Sequence, residues 1–375
     1  MPAAEQKSLA ILGGGCAGMS LARLLAGRDG LDIAVIDPAD PKERADHSWG
    51  FWATDDTADA LPMARKTWQR WQIITADGRA EQVAHQHPYA SLESKAWLTA
   101  ARLKAEAGKV TMVRAEVRDI RRSASGYEMT TDKGEAVAGM IIDSRSQPRK
   151  KGIMLQHFIG WEIETTNPCF DPDQAILMDF RCDASRGVHF IYVLPFGPRR
   201  ALVESTLFSP RTEETEYYEN AIDTYCRDVL DSGAYMVLRR ERGVIPMARL
   251  SPIDPHLTAI GGNGGAIRPS SGYAFAFIQK QVNLLAAMMA SGSTLQTGAI
   301  NPHKPVDLWM DDIFLSVLRH DAHQAPRLFL AMAKALTGDE MARFLSGKAD
   351  YRLRAKVILA MPKWPFIKAL LRGGQ

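Results

Sequence analysis

A glycine-rich turn near the start of the chain constrains the fold more than any other feature. The motif Gly13-x-Gly15-x-x-Gly18 follows an apolar run at residues 9–12 and precedes a helix-like segment at residues 19–26. A pyrophosphate needs this order of strand, tight turn and helix, because glycines let the backbone approach the phosphates and the helix start offers free N–H groups. The motif therefore predicts a dinucleotide site, with a plain turn as the alternative.

An acidic residue at the end of the next apolar run supports that prediction. Residues 31–36 lead into Asp37, about 20 residues after the turn, where a carboxylate can accept a hydrogen bond from an adenosine ribose hydroxyl. A further apolar run at residues 138–142 ends at Asp143, again at the sheet edge where cofactors bind. The pattern predicts an α/β fold built on a Rossmann-type doubly wound sheet.

Composition narrows the function class. With 375 residues and 46% apolar content, the chain can bury a large core in two domains, or in one domain with an insertion. A net charge of +3 is too small for a nucleic-acid surface, so we expect no nucleic-acid partner.

The four cysteines lack metal-ligand spacing, so we expect neither a metal site nor a disulfide framework. Without a signal-peptide pattern or an uncharged run of about 18 residues, a cytoplasmic location is expected.

The middle and the end of the chain differ in pattern from its start. Short alternating segments between residues 156 and 206, followed by a helical segment at 217–230, predict an antiparallel sheet with a helix. We therefore predict three regions. These are a discontinuous dinucleotide-binding domain (1–155 and 240–300), a substrate domain (156–239) and a helical C-terminal region (301–375).

Basic and aromatic residues alternate at the C-terminus, around Trp364, Phe366 and Leu370. This pattern fits a helix that lies at a membrane surface, and a solvated helix that packs its apolar side on the domain is the alternative. The aromatic segment at residues 46–52 also has two interpretations, a hairpin in the core or a loop that reaches toward a ligand.

With a second glycine-rich segment at residues 261–273, the chain resembles the bacterial lycopene beta-cyclases nearly from end to end. The residues that carry the resemblance are the glycine turn at 13–18, His47-Ser48-Trp49, the strand Val203-Glu204-Ser205-Thr206, Gly160-x-Glu162, Met178-Asp179 and the late glycine segment. Two positions depart from the family pattern. Ser205 stands where the family has a second acid, and residues 143–146 replace an Asp-x-Arg-Gly turn.

The resemblance implies a redox-neutral enzyme of carotenoid biosynthesis. It implies cyclisation of the linear ends of lycopene or a related carotenoid to beta-ionone rings, with bound reduced FAD and NAD(P)H as electron donor. It also implies peripheral contact with the inner face of the cell membrane. The fold expected is an FAD-binding Rossmann-type sheet with an inserted antiparallel substrate domain. The expected cofactor-binding residues are Gly13, Gly15, Gly18, Asp37, Gly261, Gly264, Gly265, Pro269 and Gly272.

The chemistry that the resemblance implies needs a carboxylic acid that stays protonated in an apolar pocket. Glu204 is the expected acid and base, because strand alternation places it on the same face as Leu202. Glu162 and Asp179 are expected to orient Glu204 or to border the pocket, and solvent exposure or an ion pair with Arg181 is the alternative for them.

Two further features would suit a carbocation reaction beside a flavin. A helix N-terminus after Gly264 and Gly265 would face the carbonyl end of the isoalloxazine ring. Aromatic faces stabilise a cation without trapping it. The aromatic candidates are Trp49, Phe51, Trp52, Trp161 and Tyr192.

Two other function classes stay open, because cofactor motifs alone do not define a reaction. One is a flavin-dependent oxidoreductase acting on an apolar substrate, either a monooxygenase or a polyprenyl reductase. The other is a flavin-free protein that carries lipids. Glu204 separates a cyclase from an oxidoreductase, since an oxygenase needs no acid on that strand, and a flavin-free carrier would show no flavin absorbance.

Overall fold

A computed structural model describes residues 7–148, 150–293, 295 and 297–371. Residues 1–6 and 372–375, which begin and end the predicted regions, lie outside the described residues. The strands are, in chain order, β1 (Lys7–Leu12), β2 (Ile33–Ile36), β3 (Ser48–Trp52), β4 (Lys66–Trp68), β5 (Arg70–Thr75), β6 (Gly78–Val83), β7 (Tyr89–Glu93), β8 (Thr111–Val113), β9 (Val117–Ser123), β10 (Gly126–Thr131), β11 (Gly134–Asp143), β12 (Met154–Thr165), β13 (Gln174–Asp179), β14 (Val188–Pro195), β15 (Arg200–Ser209), β16 (Tyr235–Met247), β17 (Thr258–Ala259) and β18 (Gly298–Ala299). The helices are α1 (Cys16–Leu25), α2 (Ser94–Ala107), α3 (Thr215–Asp228), α4 (Phe275–Ala290), α5 (Pro305–His320), α6 (Ala325–Ala335), α7 (Gly338–Leu345), α8 (Tyr351–Ala360) and α9 (Lys363–Leu371).

The first sheet is built around β1, as the glycine turn predicts. Its strands follow the order β18-β17-β11-β1-β2-β8, and each neighbouring pair in this order is parallel. Apolar residues of β1, such as Leu9 and Ile11, are fully buried against α1, α2 and α4. Parallel strands covered by helices confirm the predicted Rossmann-type fold class.

The second sheet contains the predicted antiparallel strands between residues 156 and 206. Its order is β16-β12-β15-β14-β13-β5-β6, with one parallel pair between β13 and β5. The sheet extends beyond the predicted 156–239 range, because the backbone of β5 pairs with β13 and the whole of β16 pairs with β12. Residues 70–83 and 240–247 therefore lie in this sheet and outside the parallel one.

The two faces of the antiparallel sheet pack against different partners. On one face, Trp161 and Val203 join the core under α3. On the other face, Leu202, Phe190 and Phe208 belong to the largest core cluster, which includes helices α5–α9. Glu204 lies on this second face, because side chains two positions apart on a strand point the same way.

The C-terminal region is helical, as predicted, and it is tied to the rest of the chain by buried ion pairs. Arg354 of α8 donates to Asp307 of α5 at 2.7 Å. Arg268, just before α4, lies 3.3 Å from Asp311 of α5. Within the described part of the chain, no helix combines the length and the apolar character needed to cross a bilayer.

Candidate active site

The two glycine segments meet at one edge of the parallel sheet. Gly18 packs so tightly on the turn that a Cβ there would lie 1.9 Å from the Gly13 carbonyl oxygen. Gly13 itself has a φ of +98°, which side chains rarely adopt. A Cβ on Gly261 would lie 2.8 Å from Ala17 Cβ. The first turn therefore needs glycine for its own tight packing, and the close approach of the late segment to Ala17 needs glycine at position 261.

A cavity of about 610 Å³ opens beside the first turn. Asp37 lines it, and its carboxylate accepts hydrogen bonds from the Gly14 N–H and, at 2.8 Å, from Arg44. Helix α1 starts next to this cavity after Gly15, and none of the described side chains caps its first turn. A Cβ on Gly15 would meet open space. Free helix N–H groups beside an acid and a cavity fit the pyrophosphate and ribose of a dinucleotide.

The helix predicted after Gly264 and Gly265 is α4, which begins at Phe275. A turn at residues 268–273, in which the Arg268 N–H donates to the Tyr273 carbonyl at 2.8 Å, lies between these glycines and the helix. Pro269 is buried within this turn.

The turn at residues 268–273 also connects the late segment to the antiparallel sheet. Gly272 has a φ of +69°, and a Cβ there would lie 2.2 Å from Gln156 Oε1 on β12. Ser270, Gly272 and the start of α4 line a central cavity that the antiparallel sheet, β3 and helices α6 and α7 also border. The predicted covering loop and the predicted substrate strands thus meet at this cavity.

The central cavity measures about 430 Å³ and is lined mainly by apolar and aromatic side chains. Three of the five aromatic candidates line it, namely Trp49, Trp52 and Tyr192. The other two pack elsewhere. Phe51 is buried in a separate cluster with Trp97, and Trp161 faces α3. Residues 46–52 therefore form part of a paired strand, β3, and also reach the cavity.

Tyrosine hydroxyls surround the inner end of this cavity. The Tyr89 and Tyr192 hydroxyl oxygens are 2.8 Å apart, and the Trp52 ring lies against the rings of Tyr89 and Tyr273 at 4.9 and 5.0 Å. Burial raises the pKa of all three tyrosines above their ordinary range. They stay neutral at physiological pH and add no charge to the cavity.

Glu204 is the carboxyl group that faces this cavity from β15. Its side chain is 8% exposed, and its Oε1 accepts a hydrogen bond of 2.6 Å from the Thr206 hydroxyl. Burial, and to a smaller extent the Glu241 carboxylate, raise the pKa of Glu204 to about 8, although the Thr206 hydrogen bond acts to lower it. The acid is therefore mostly protonated at neutral pH, which is the state that a proton donor needs.

Glu162 lies on the same sheet face as Glu204 but outside the cavity lining. Its carboxylate accepts hydrogen bonds from Arg65 at 2.6 and 2.9 Å and from Arg200 at 2.7 Å, and Arg239 lies at 3.3 Å. Burial would raise the pKa of Glu162, but these hydrogen bonds outweigh burial and lower it to about 2. Glu162 is thus a permanent anion that organises arginines.

Asp179 is directed away from the cavity, contrary to the expectation that it borders the pocket. Its carboxylate pairs with Arg181 at 2.6 Å and accepts a 2.7 Å hydrogen bond from Tyr225 of α3. The physical reason is an irregularity in β13, where Leu177 and Met178 both line the cavity and Asp179 turns to the opposite face. The alternative interpretation, an ion pair with Arg181, describes its position.

Sequence reasoning missed Glu241 on β16. This side chain is 6% exposed and lies directly across β12 from Glu204, because Gly160 pairs with Glu204 on one side and with Glu241 on the other. The alternation of side chains along β16 could have predicted which neighbours share a sheet face with Glu241. The pairing register of β16 with β12, which brings Glu241 beside Glu204, could not be predicted from the sequence pattern.

A second cavity of about 330 Å³ adjoins the first among helices α5–α9. The two cavities share lining residues, including Ser270, Phe329 and Met332. The lining of the second cavity is mainly apolar, and it includes the partly exposed side chains of Ile367 and Leu370 on α9. The second cavity therefore lies between the cavity that Glu204 lines and the partly exposed helix α9.

A model of one protein family matches almost the whole chain. The family is described as "Lycopene cyclase protein", and the match covers residues 8–371. The chain belongs to the lycopene cyclase family.

Individual relatives agree with this membership. The chain is 25% identical to the lycopene beta-cyclase of Pantoea ananas over 96% of both chains. It is 27% identical to the lycopene beta-cyclase of Paracoccus sp., over 94% of this chain and 93% of that one. Among solved structures, a flavin-dependent brominase superposes with a TM-score of 0.66 at 15% identity, covering 98% of this chain and 99% of its own. At that identity the likeness concerns the fold, which is that of Rossmann-type flavoproteins.

The antiparallel sheet of this lycopene cyclase separates the three predicted catalytic residues from one another. Of the three predicted catalytic residues, the fold brings Glu204 to the cavity, places Glu162 in an arginine cluster on the same face, and turns Asp179 to the opposite face. The acid that can both give and take a proton is the one that adjoins the apolar space.

Proposed function

We propose that this chain cyclises the linear ends of lycopene or a related carotenoid to beta-ionone rings, with Glu204 as acid and base. The observation that carries the proposal is a buried carboxyl group that lines an apolar cavity and whose pKa burial raises. Such a group is costly to bury, and among the described residues it has no arginine partner like those of Glu162. Membership of the lycopene cyclase family supports the same reaction.

Glu204 acts at both ends of the proposed reaction. Its carboxylic acid gives a proton to the terminal double bond of the polyene, which leaves a tertiary cation on the neighbouring carbon. A nearby double bond of the same chain attacks that cation and closes the ring. The Glu204 carboxylate then takes a proton from the new ring, so that the product is an isomer of the substrate and no electrons are gained or lost.

The side chains around Glu204 suit a cation that must not be trapped. The faces of Trp52, Tyr89 and Tyr192 offer π-electron density close to the acid. Each such face stabilises a desolvated cation by roughly 0.5 to 2 kcal/mol. The neutral tyrosines keep their protons, which makes them poor nucleophiles.

The cofactor proposed is FAD, held along the edge where the two glycine segments meet. Gly13, Gly15 and Gly18 would receive the pyrophosphate at the start of α1, and Asp37 would receive the ribose. Gly261, Gly264, Gly265, Pro269 and Gly272 would shape the covering segment. The reduced, anionic flavin supplies negative charge beside the cationic transition state, and NAD(P)H is the proposed electron donor.

A substrate dissolved in a membrane would reach Glu204 through the second cavity. Trp364 and Leu371 on α9 are 65% and 82% exposed, with Lys363 and Lys368 on the same short helix. Apolar side chains interleaved with cations favour contact with a membrane surface. We propose that α9 is this contact.

Vesicle flotation tests the membrane contact. The double variant Trp364→Ser and Leu371→Ser should float less with anionic vesicles than the unaltered chain does. A matched control replaces Met236 and Leu238, which are 60% and 38% exposed on β16, far from α9 in sequence. If both variants float equally with the unaltered chain, the contact lies elsewhere.

The experiment for the reaction uses a bacterium that accumulates lycopene. Expression of this chain should turn the red pigment orange-yellow, and Glu204→Gln should leave it red. The matched control is Glu164→Gln, an exposed acid on β12, which should cyclise normally. Unchanged red pigment with the unaltered, flavin-loaded chain would contradict the proposal.

The oxidoreductase alternative predicts a different number of NAD(P)H molecules consumed per molecule of product. A cyclase consumes no NAD(P)H per ring beyond the initial reduction of the flavin, whereas a monooxygenase or a reductase consumes one equivalent per turnover. Product formed and NAD(P)H oxidised are counted in two reactions, one without oxygen, in which a reductase turns over, and one in air, in which a monooxygenase turns over. Stoichiometric consumption would overturn the redox-neutral assignment.

A further inference from the structure

Two buried glutamates lie side by side across a glycine. Strand β12 lies between β15 and β16. Its Gly160 is the register partner of Glu204 on β15 and of Glu241 on β16. A Cβ placed on Gly160 would lie 3.5 Å from Glu204 Cβ and 3.2 Å from Glu241 Cγ. Because glycine has no side chain, the two glutamates lean toward each other over β12 with no side chain between them.

The two carboxyl groups have unequal hydrogen-bond partners. Glu241 Oε2 accepts from the Ser48 N–H at 2.9 Å and from the Ser48 hydroxyl at 3.2 Å, and it lies 3.4 Å from Arg239 Nη1. Arg239 also donates to the Ser48 hydroxyl at 2.7 Å. The single side-chain donor to Glu204 among the described residues is Thr206. Burial raises the pKa of Glu241 to about 7, although Arg239 and the Ser48 hydrogen bonds lower it. This value lies below the pKa of about 8 of Glu204, so Glu241 releases its proton first and Glu204 keeps its own.

We propose that Glu241 is a positioning residue for the reaction, whose carboxylate across Gly160 keeps the proton on Glu204. Glu241 is absent from the residues that line the cavity, so it acts through Glu204. Once Glu241 is ionised, its charge opposes the ionisation of Glu204 in the same buried region. The inference rests on the proposed function, since the retained proton is the one given to the double bond.

The other titratable groups around the pair are His47 and three tyrosines. His47 lines the same cavity as Glu204, and burial lowers its pKa, so it is neutral in the pH range where Glu204 titrates. Tyr192, Tyr89 and Tyr273 face Glu204 from β14, β7 and the late segment, and burial raises the pKa of each above its ordinary range. Arg239 on β16 and Asp46 before β3 face Glu241, and they are 3.6 Å apart. The charge beside Glu204 that changes with substitution is therefore that of Glu241.

The test compares pH profiles of cyclisation for the flavin-loaded full chain. In the unaltered protein, activity falls as pH rises through the pKa of Glu204, about 8. Glu241→Gln keeps the shape of the side chain and removes its charge, so this loss should move about one pH unit toward acid. Glu241→Asp retains the charge and should show less than half of that shift.

An infrared titration reads the same proton without any reaction. The C=O stretch that disappears in Glu204→Gln identifies the Glu204 acid, and its loss with rising pH should also move about one unit toward acid in Glu241→Gln. Glu241→Leu, neutral and of similar size, is a second uncharged variant for both measurements.

Coincident profiles and coincident infrared titrations for the charged and uncharged variants would overturn the positioning role. If the unaltered chain cyclises nothing, the proposed function fails, and the infrared titration still decides whether the two glutamates are coupled. The two failures are thus distinguishable.

Discussion

Glu162 and Glu204 are two buried glutamates on one face of one sheet, and they have opposite protonation states. Glu162 is 2% exposed and its pKa is lowered to about 2, whereas Glu204 is 8% exposed and its pKa is raised to about 8. Both residues are glutamates, and both side chains are almost fully buried. The difference lies in their partners, which are arginines for Glu162 and a hydroxyl and another carboxyl group for Glu204.

This contrast teaches that burial alone does not choose between a structural anion and a reactive acid. Both groups are desolvated, which favours the neutral form. At Glu162, hydrogen bonds from guanidinium groups reverse that preference and hold the β-strands β12 and β15 to the segment that contains Arg65. At Glu204 nothing positive offsets desolvation among the described neighbours, so the proton remains available to a substrate.

The largest expected effect is the loss of cyclisation on removing the Glu204 acid. Glu204→Gln keeps the side-chain volume but has no proton to give, so the rate should fall by at least about 100-fold. Glu162→Gln, measured per folded and flavin-loaded molecule, should retain most of its activity. Product formation from lycopene in detergent or vesicles measures both. Equal losses in the two variants would contradict the division of roles.

The second effect concerns the free energy of unfolding, which should fall more on substitution of Glu162 than on substitution of Glu204. Glu162→Gln leaves Arg65, Arg200 and Arg239 without their shared anion, which should cost about 2 kcal/mol of unfolding free energy. The cost is moderate because these arginines are 21%, 48% and 21% exposed and are partly screened by water. Chemical denaturation at neutral pH measures it, with the exposed Glu164→Gln as control. If Glu162→Gln were as stable as the control variant, the arginine contacts of Glu162 would not stabilise the fold.

The third expected effect is an opposite pH dependence of stability for the two glutamates. The folded state holds the Glu204 proton that the unfolded chain releases near pH 4.5, so its contribution falls as pH rises from about 4.5 to about 8. Glu204→Gln should therefore gain stability relative to the unaltered chain across that range. The contribution of Glu162 is present above about pH 4.5 and is lost as pH falls toward about 2, so the cost of Glu162→Gln should shrink in acid.

Denaturation series at several pH values test these two slopes. The stability difference between each variant and the unaltered chain is plotted against pH, which removes the titration of all other groups. Slopes of the same sign for the two variants would show that their partners do not set their protonation states.

Local patterns in the sequence predicted the framework of the molecule. The glycine turn, the apolar runs and the alternation between residues 156 and 206 each depend on near neighbours, and the strands and helices formed there. Alternation also placed Glu204 with Leu202 on one face, which the fold turns toward the cavity. These features follow from short-range periodicity.

The partners of each acid could not be predicted, because they come from distant parts of the chain. Glu162 receives hydrogen bonds from Arg65, which is 97 residues away in sequence. The position of Asp179 depends on an irregularity in β13 that changes which side chains face the cavity. Glu241 adjoins Glu204 through the register of β16 on β12. Strand register and bulges are set by tertiary packing, which single-sequence patterns do not contain.

The smallest expected effect comes from the hydrogen bond that does stabilise the Glu204 anion. The Thr206 hydroxyl donates to Glu204 at 2.6 Å and lowers its pKa, in the same direction as the arginines act on Glu162 but with one neutral donor. Thr206→Val preserves the branched shape and removes this donor, so the pKa of Glu204 should rise by less than about one unit. Cyclisation should then persist to slightly higher pH than in the unaltered chain. A shift toward acid would mean that the Thr206 hydroxyl stabilises the protonated acid, and that Glu204 and Glu162 differ in more than the strength of their donors.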